Sequence, residues 1–238
     1  NTTGTAVWAN DNKTIFYTRK DAALRSYKIF KHRLGTNENE DIEVFHEEDD
    51  TFNAFVFKTK SDKYIVIGSW ATLSQEFYTL PADAPDDNLA LFQKRENKLE
   101  YSIAHYDDKW YIRTNKDGAR NFKIMTAPED KTSQENWTDL IAHRDDVFVE
   151  GLDLFNDFMV VNERIEGISK MRIMPWNGGD HYIDFGEEAY TSSPGVNMEF
   201  DTDILRVGFT SMTTPSTVYD YDMRARKLKL MKQQEVVG

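Results

Sequence analysis

Cysteine is absent from the 238 residues. That removes any disulfide framework and any thiol chemistry, and it fits a reducing compartment. Long apolar runs are absent as well: none approaches the roughly 18 residues a membrane-spanning helix needs. Positive charge is scarce beside negative, with 29 Lys and Arg against 41 Asp and Glu and a net charge of −12. This balance argues against nucleic acid as a partner and favours a neutral or basic one, although a solvated acidic surface has the same composition. Several catalytic signatures are missing: no Gly-x-Ser-x-Gly elbow occurs, and neither glycine-rich phosphate loop is found. Five histidines (His32, His46, His105, His143, His181) are scattered without metal-ligand spacing. No metal and no cofactor are expected. No segment keeps a helical period, and no low-complexity linker divides the chain.

What is present is a repeat. Polar turns at Asn12, Asp62, Asp108, Asp157 and Asp203 each precede a strand of aromatic and β-branched residues, as in Lys109-Trp110-Tyr111-Ile112-Arg113. The turns are separated by 50, 46, 49 and 46 residues. A second strand family centres on Ile29, Tyr78, Ile124, Ile173 and Tyr219, with gaps of 49, 46, 49 and 46. An outer family covers 42–45, 89–92, 138–141, 182–185 and 228–231. An inner family covers 6–8, 52–56, 99–103, 147–149 and 196–200. Four short strands per unit of about 45 residues is the composition of a propeller blade. The fold class is therefore all-β: a β-propeller of four-stranded antiparallel blades, about five of them in residues 1–238, without a helix longer than about two turns. Alternation places Val66, Ile112, Val160 and Val207 in blade cores.

Topology assigns the links to faces. Each strand reverses direction, so the links from second to third strands share a face with the links into the next inner strand. This puts 46–50, 93–98, 143–146 and 187–195 on one rim near the pore. Glu47, Glu48, Asp49, Asp50, Asp145, Asp146, Glu187 and Glu188 are the rim carboxylates. The segment 38–50 carries eight carboxylates in thirteen residues; strand alternation makes Glu43 a solvated residue, while 47–50 lies by topology near the axis. A ligand cluster around His46 competes with a plain acidic loop. Glu150 and Glu199, 49 residues apart, would suit the acid and base of a glycosidase if both lay on inner strands; each also suits a capped strand end. The five tryptophans fit sugar stacking or, more commonly, packing between blades.

The strand near Thr5 has no earlier outer strand to close a blade with, and Gly238 directly follows an outer strand. Both ends are expected to be cuts in a longer polypeptide.

Specific strings go further. Phe209-Thr210-Ser211-Met212-Thr213-Thr214-Pro215-Ser216-Thr217-Val218-Tyr219-Asp220-Tyr221-Asp222 resembles the last-blade signature of the prolyl oligopeptidase family. So do Trp8-Ala9-Asn10-Asp11-Asn12-Lys13-Thr14-Ile15-Phe16-Tyr17 and His32-Arg33-Leu34-Gly35-Thr36. Glu47-Glu48-Asp49-Asp50-Thr51-Phe52, Arg113-Thr114-Asn115 with Asn121-Phe122, and Lys232-Gln233 are similar to the oligopeptidase B (protease II) branch. The resemblance runs in order over essentially the whole chain. It implies a cytoplasmic serine peptidase in which a seven-bladed propeller covers an α/β-hydrolase domain and restricts access to short peptides, cut after Arg or Lys. In that family the Ser-Asp-His triad and the acidic residues that select the basic side chain belong to the hydrolase domain. The expected partners are thus that domain of the same polypeptide and short basic peptides. The chain itself is expected to gate and select by size, without catalytic residues. One family position departs: where the prolyl oligopeptidase branch has a substrate-reaching arginine, this chain reads Gly68-Ser69-Trp70-Ala71. Ser69 and Trp70 are expected on a cavity-facing loop with no arginine role. A stand-alone propeller scaffold and a complete five-bladed glycosidase are the alternatives.

Overall fold

A computed structural model describes residues 2–236. The expected cut ends at Asn1 and Gly238 lie outside the described residues. Twenty strands form five four-stranded sheets, each in simple chain order. Sheet one holds β1 (Thr2–Trp8), β2 (Thr14–Lys20), β3 (Ser26–Arg33) and β4 (Ile42–His46). Sheet two holds β5 (Asn53–Lys58), β6 (Tyr64–Ala71), β7 (Ser74–Pro81) and β8 (Ala90–Gln93). Sheet three holds β9 (Tyr101–Tyr106), β10 (Lys109–Thr114), β11 (Lys123–Pro128) and β12 (Thr138–Ile141). Sheet four holds β13 (Val147–Leu154), β14 (Phe158–Ile165), β15 (Ile168–Pro175) and β16 (His181–Tyr182). Sheet five holds β17 (Tyr190–Pro194), β18 (Ile204–Ser211), β19 (Thr217–Asp222) and β20 (Lys227–Gln233). The only helical turns among the described residues are three 3₁₀ turns of three residues each. Among the described residues no helix is long and apolar enough to cross a membrane.

By contact the chain divides into two compact units, Asn1–Lys116 with Met125–Asp139, and Asp117–Ile124 with Leu140–Gly238. In the first, sheet two is buried on both faces. Ile65 and Ile67 of β6 join Phe16, Ile29 and Val56 in one core. Val66, on the opposite face of the same strand, joins Trp110, Ile112, Phe92 and Trp137 in another. In the second unit Val160 and Val207 meet in a core with Phe155, Met171, Ile173 and Leu205. The four valine and isoleucine positions expected in blade cores are all fully buried.

The hairpin turns that mark the repeat also hold the sheets together. In sheet one Asn10 donates its amide to Asp83 Oδ1 and to the Asp62 carbonyl, both at 2.9 Å, and its backbone N–H to the Ala82 carbonyl at 2.9 Å. Asp83 lies in the loop between the third and fourth strands of sheet two. One sheet further on, Tyr64 donates to Glu129 at 2.8 Å, and Lys63 pairs with the same carboxylate. Ser61 bonds His105 Nδ1 at 2.9 Å, and His105 Nε2 bonds Glu129 at 3.1 Å. Glu129 again lies between third and fourth strands. In the second unit Arg224, between β19 and β20, bridges Asp157 of the sheet-four turn and Asp203. Asn12, Asp62 and Asp107 take left-handed φ values of 54°, 58° and 56°, which Asn and Asp tolerate better than most residues.

Several expectations change. The first inner strand, expected at 6–8, begins earlier: Thr2–Gly4 is part of β1. The third left-handed turn residue is Asp107 rather than Asp108. The outer strand expected at 182–185 shortens to His181–Tyr182. The inner strand of the fifth unit is Tyr190–Pro194, not 196–200. In that link Asn197 accepts the Arg206 N–H at 2.7 Å and donates to the Arg206 and Gly195 carbonyls. The backbone ladder ends with the Gly195 N–H on the Arg206 carbonyl at 2.8 Å, the Asn197 side chain takes the Arg206 N–H, and Val196 and Met198 are left exposed.

Two predictions follow from packing and burial. A Cβ on Gly68 would fall 2.2 Å from the Phe55 ring, which lies across it from the paired strand. Gly68→Ala is expected to cost about 1–3 kcal/mol through overpacking; urea unfolding checks this, and an unchanged midpoint would reject the packing argument. Burial also holds the His105 imidazole below its ordinary 6.5, against the pull of Glu129. Its neutral form is the one the fold favours, so the contribution is complete above 6.5 and is lost as pH falls through the lowered value. The wild-type melting temperature should drop on acidification from about pH 7.5 to about pH 5.5 more than that of His105→Asn; equal drops would refute the assignment.

Candidate functional site

The link 47–52, between sheets one and two, carries the densest rim carboxylates. It is anchored by two arginines. Arg25, from the link between β2 and β3, donates Nη1 to the carbonyls of Asp49 at 2.7 Å and Phe52 at 3.1 Å, with Glu47 at 3.5 Å. This contact places the two kinds of link on a common face in the first unit, as topology requires. Arg95, from the link between β8 and β9, donates to Glu47 Oε2 at 2.7 Å and approaches Glu76 of β7 at 3.5 Å. Its guanidinium stacks 4.1 Å over the Phe52 ring. Its backbone N–H donates to Glu76 at 2.9 Å, and Tyr78 donates to the same carboxylate at 2.9 Å.

Glu47 is therefore no rim charge. It is 3% exposed and accepts from Ser69, from the Asp49 N–H at 3.0 Å and from Arg95. Burial pushes its pKa up, but the three donors together hold it below the ordinary value. Glu48, Asp49 and Asp50 are exposed on the same link. Asp49 accepts from the Thr51 N–H and hydroxyl at 2.9 and 2.7 Å, which keeps its carboxyl low. Ser69 and Trp70 lie on strand β6 rather than on a loop. Alternation splits them: Ser69 is fully buried against Glu47, and Trp70 is 46% exposed on the other face.

In the second unit Asp145 is exposed and pairs with Arg120 at 2.9 Å. Asp146 and Glu188 are exposed. Glu187 accepts from the hydroxyls of Thr213 and Thr214 at 3.1 and 2.7 Å. Hydroxyl donors, Ser211 foremost, hold its pKa low. The glycosidase pair fails on placement: Glu150 lies on β13 and is paired with Arg164, whereas Glu199 is exposed in a link. Trp110 and Trp137 are core residues.

Sequence reasoning missed the cations. The second unit has a hub like the first: Glu163 of β14 is fully buried, paired with Arg144, 3.8 Å from Arg172 and hydrogen-bonded by the Tyr182 hydroxyl at 2.5 Å. Arg144 stands in the link into β13, as Arg95 stands in the link into β9. The two are 49 residues apart, the interval of the repeat. That spacing was the available signal.

Residues 1–234 match the family described as "Prolyl oligopeptidase, N-terminal beta-propeller domain". The chain belongs to the prolyl oligopeptidase family. This family consists of serine peptidases, and the fold is its β-propeller. Dipeptidyl aminopeptidase BI of Pseudoxanthomonas mexicana is 42% identical over 233 residues, 98% of this chain and 32% of the relative. Protease 2 of Moraxella lacunata is 26% identical over 236 residues, 99% of this chain and 34% of the relative. Oligopeptidase B from Leishmania major superposes with a TM-score of 0.91 at 26% identity, covering 100% of this chain and 35% of that one. Oligopeptidase B from Trypanosoma brucei, in a closed form with covalently bound antipain, gives 0.92 at 25% identity, covering 99% and 35%. The chain thus spans about a third of the length of these prolyl oligopeptidase relatives.

The Glu47 hub yields a prediction. Glu47→Ala leaves Ser69 without its buried acceptor and Arg95 with Glu76 alone, and is expected to cost about 3 kcal/mol. Because the folded pKa of Glu47 is lowered from 4.5, its contribution is complete above that value and disappears as pH falls through the lowered one. The stability gap between wild type and variant, from urea unfolding, should narrow below about pH 4.5. A gap that stays constant down to about pH 3 would contradict it.

Proposed function

We propose that this propeller controls the access of short peptides to an α/β-hydrolase domain of the same polypeptide, which cuts after Arg or Lys. The observation that carries the reading is the family match over residues 1–234, supported by two oligopeptidase B structures with TM-scores above 0.9. In this reading residues 1–238 are propeller throughout, the protein works in the cytoplasm, and the catalytic serine belongs to the hydrolase domain. Acyl transfer needs a serine with a positioned base and an oxyanion hole. The chain's role is admission and selection by size.

A second reading is favoured by identity. The relative at 42% is named a dipeptidyl aminopeptidase, while Protease 2 stands at 26%. The polypeptide would then release dipeptides from free amino ends. Assays of the full-length polypeptide on an amino-blocked arginyl amide and on a free dipeptidyl amide separate the two. Turnover of the blocked substrate supports the first reading; turnover confined to the free dipeptidyl amide supports the second.

The exposed carboxylates add a kinetic role. Fixed negative charge near a channel raises the local concentration of basic peptides. Glu48, Asp50 and Asp146 are exposed. Glu48→Gln, Asp50→Asn and Asp146→Asn combined in the full-length polypeptide should lower kcat/KM for a dibasic peptide about threefold at low salt. The loss should shrink at high salt, where the Debye length falls to about 3 Å, with kcat nearly unchanged. An unaltered kcat/KM at low salt would make these residues plain surface.

A further inference from the structure

Two links into inner strands, 47–52 and 94–100, are joined by a single side chain. Arg95 reaches from the second link to Glu47 of the first, lies over the Phe52 ring of the first, and holds Glu76 on the strand between them. Both carboxylates are buried, at 3% and 5% exposure, yet the Arg95 side chain stays 28% exposed. The pair is therefore a clasp at the level of the links rather than part of the apolar core beneath.

The geometry of the 47–52 link gives the clasp a direction. On one side Arg25 holds three of its carbonyls, and Asp21 holds Arg25 in turn at 3.1 Å. On the other side Arg95 ties it to the 94–100 link. That second link has its own anchors: Ser74 donates to the Glu96 carbonyl at 2.9 Å, and the Leu99 N–H closes on the same carbonyl at 3.1 Å. Removing Arg95 frees the 47–52 link on one side only. Without Arg95 the 47–52 link would keep Arg25 and the Ser69 bond to Glu47 but lose its tie to the neighbouring link, so its separation from that link would be free to widen.

We propose that Arg95 is a positioning residue for substrate admission, fixing the separation of these two links and so the length of peptide that passes them. The inference rests on the proposed gating role. Arg95 touches no reacting atom in this scheme; it acts through Glu47 and Phe52. Lysine at position 95 would keep the charge but lose the flat face over Phe52 and the fork that spans two carboxylates. It should restore the clasp in part.

The test uses the full-length polypeptide and two arginyl substrates, of about 4 and about 20 residues, each followed for kcat and KM separately. Arg95→Ala should raise the ratio of long-peptide to short-peptide kcat/KM about threefold, through KM of the long peptide. Arg95→Lys should fall between Ala and wild type. A role confined to folding would lower both substrates by one factor, the folded fraction, and leave the ratio at its wild-type value. That outcome overturns the inference while the gating role stands. If Arg95→Ala does not fold, Arg95→Gln, which keeps a donor for Glu47, carries the same comparison with the same criterion. A wild-type polypeptide that cuts both lengths equally well, or neither, overturns the gating role and this inference together.

Discussion

The polar hairpin turn that reaches out of its own sheet is the contact on which the rest depends. A four-stranded sheet of strands this short cannot bury enough apolar surface alone; each must cover a neighbour's face. Apolar contact supplies the free energy but is non-directional, so it does not fix the angle between sheets. Hydrogen bonds do. Asn10 on Asp83, Tyr64 and Lys63 on Glu129, and Arg224 on Asp157 occupy the same place at three junctions, always from a turn to the loop after a third strand. The residue types differ while the position is kept. A repeat protein can change its latch chemistry from sheet to sheet as long as each latch satisfies the donors and acceptors it buries.

At the opposite ends of the strands the fastening is ionic. The Glu47–Arg95–Glu76 and Glu163–Arg144–Arg172 hubs each sink carboxylate into the protein and bring arginine from a link to meet it. Buried pairs of this kind add less stability than their Coulomb energy suggests, because desolvation offsets much of it. What they supply is geometry: a planar guanidinium that bonds two carboxylates and stacks on Phe52 leaves its link few alternative positions. Links that must stay in place without an apolar core of their own are suited to such fastening. The proposed admission role rests on this clasp rather than on raw charge.

The sequence makes the beat and the core easy to read, because both depend on local alternation. Val66, Ile112, Val160 and Val207 are fully buried as the period requires. The fifth inner strand is harder. Val196, Met198 and Phe200 alternate as a strand would, but Pro194 and Gly195 end the pairing, and the Asn197 amide takes over the Arg206 backbone groups. Alternation cannot show that a side chain takes over where a ladder ends. The family resemblance puts Ser69 and Trp70 on a loop, at the place of a substrate-reaching arginine; instead Gly68 makes room for the Phe55 ring and the strand continues. The hubs were illegible for another reason. Their partners are 48 and 19 residues apart, and charge counted along a chain carries no information about pairing across it.

In the segment 38–50, Asp41 is held by Tyr17 and His32, Glu43 pairs with Lys28, Glu47 pairs with Arg95, and Asp49 caps Thr51. A carboxylate with a cation a few ångströms away presents a dipole to a distant peptide, and a dipole's field fades faster than that of a lone charge. Arg25 lies under the same link and weakens it further. Any steering of basic peptides from this link therefore rests on the exposed Glu48, Asp49 and Asp50, fewer groups than composition suggests. Their value lies in being held at fixed points by the two arginines, since a charge on a mobile loop spreads its potential over every position the loop visits. Anchoring and steering are in this sense one device: the cations that reduce the field also decide where the remaining field is centred.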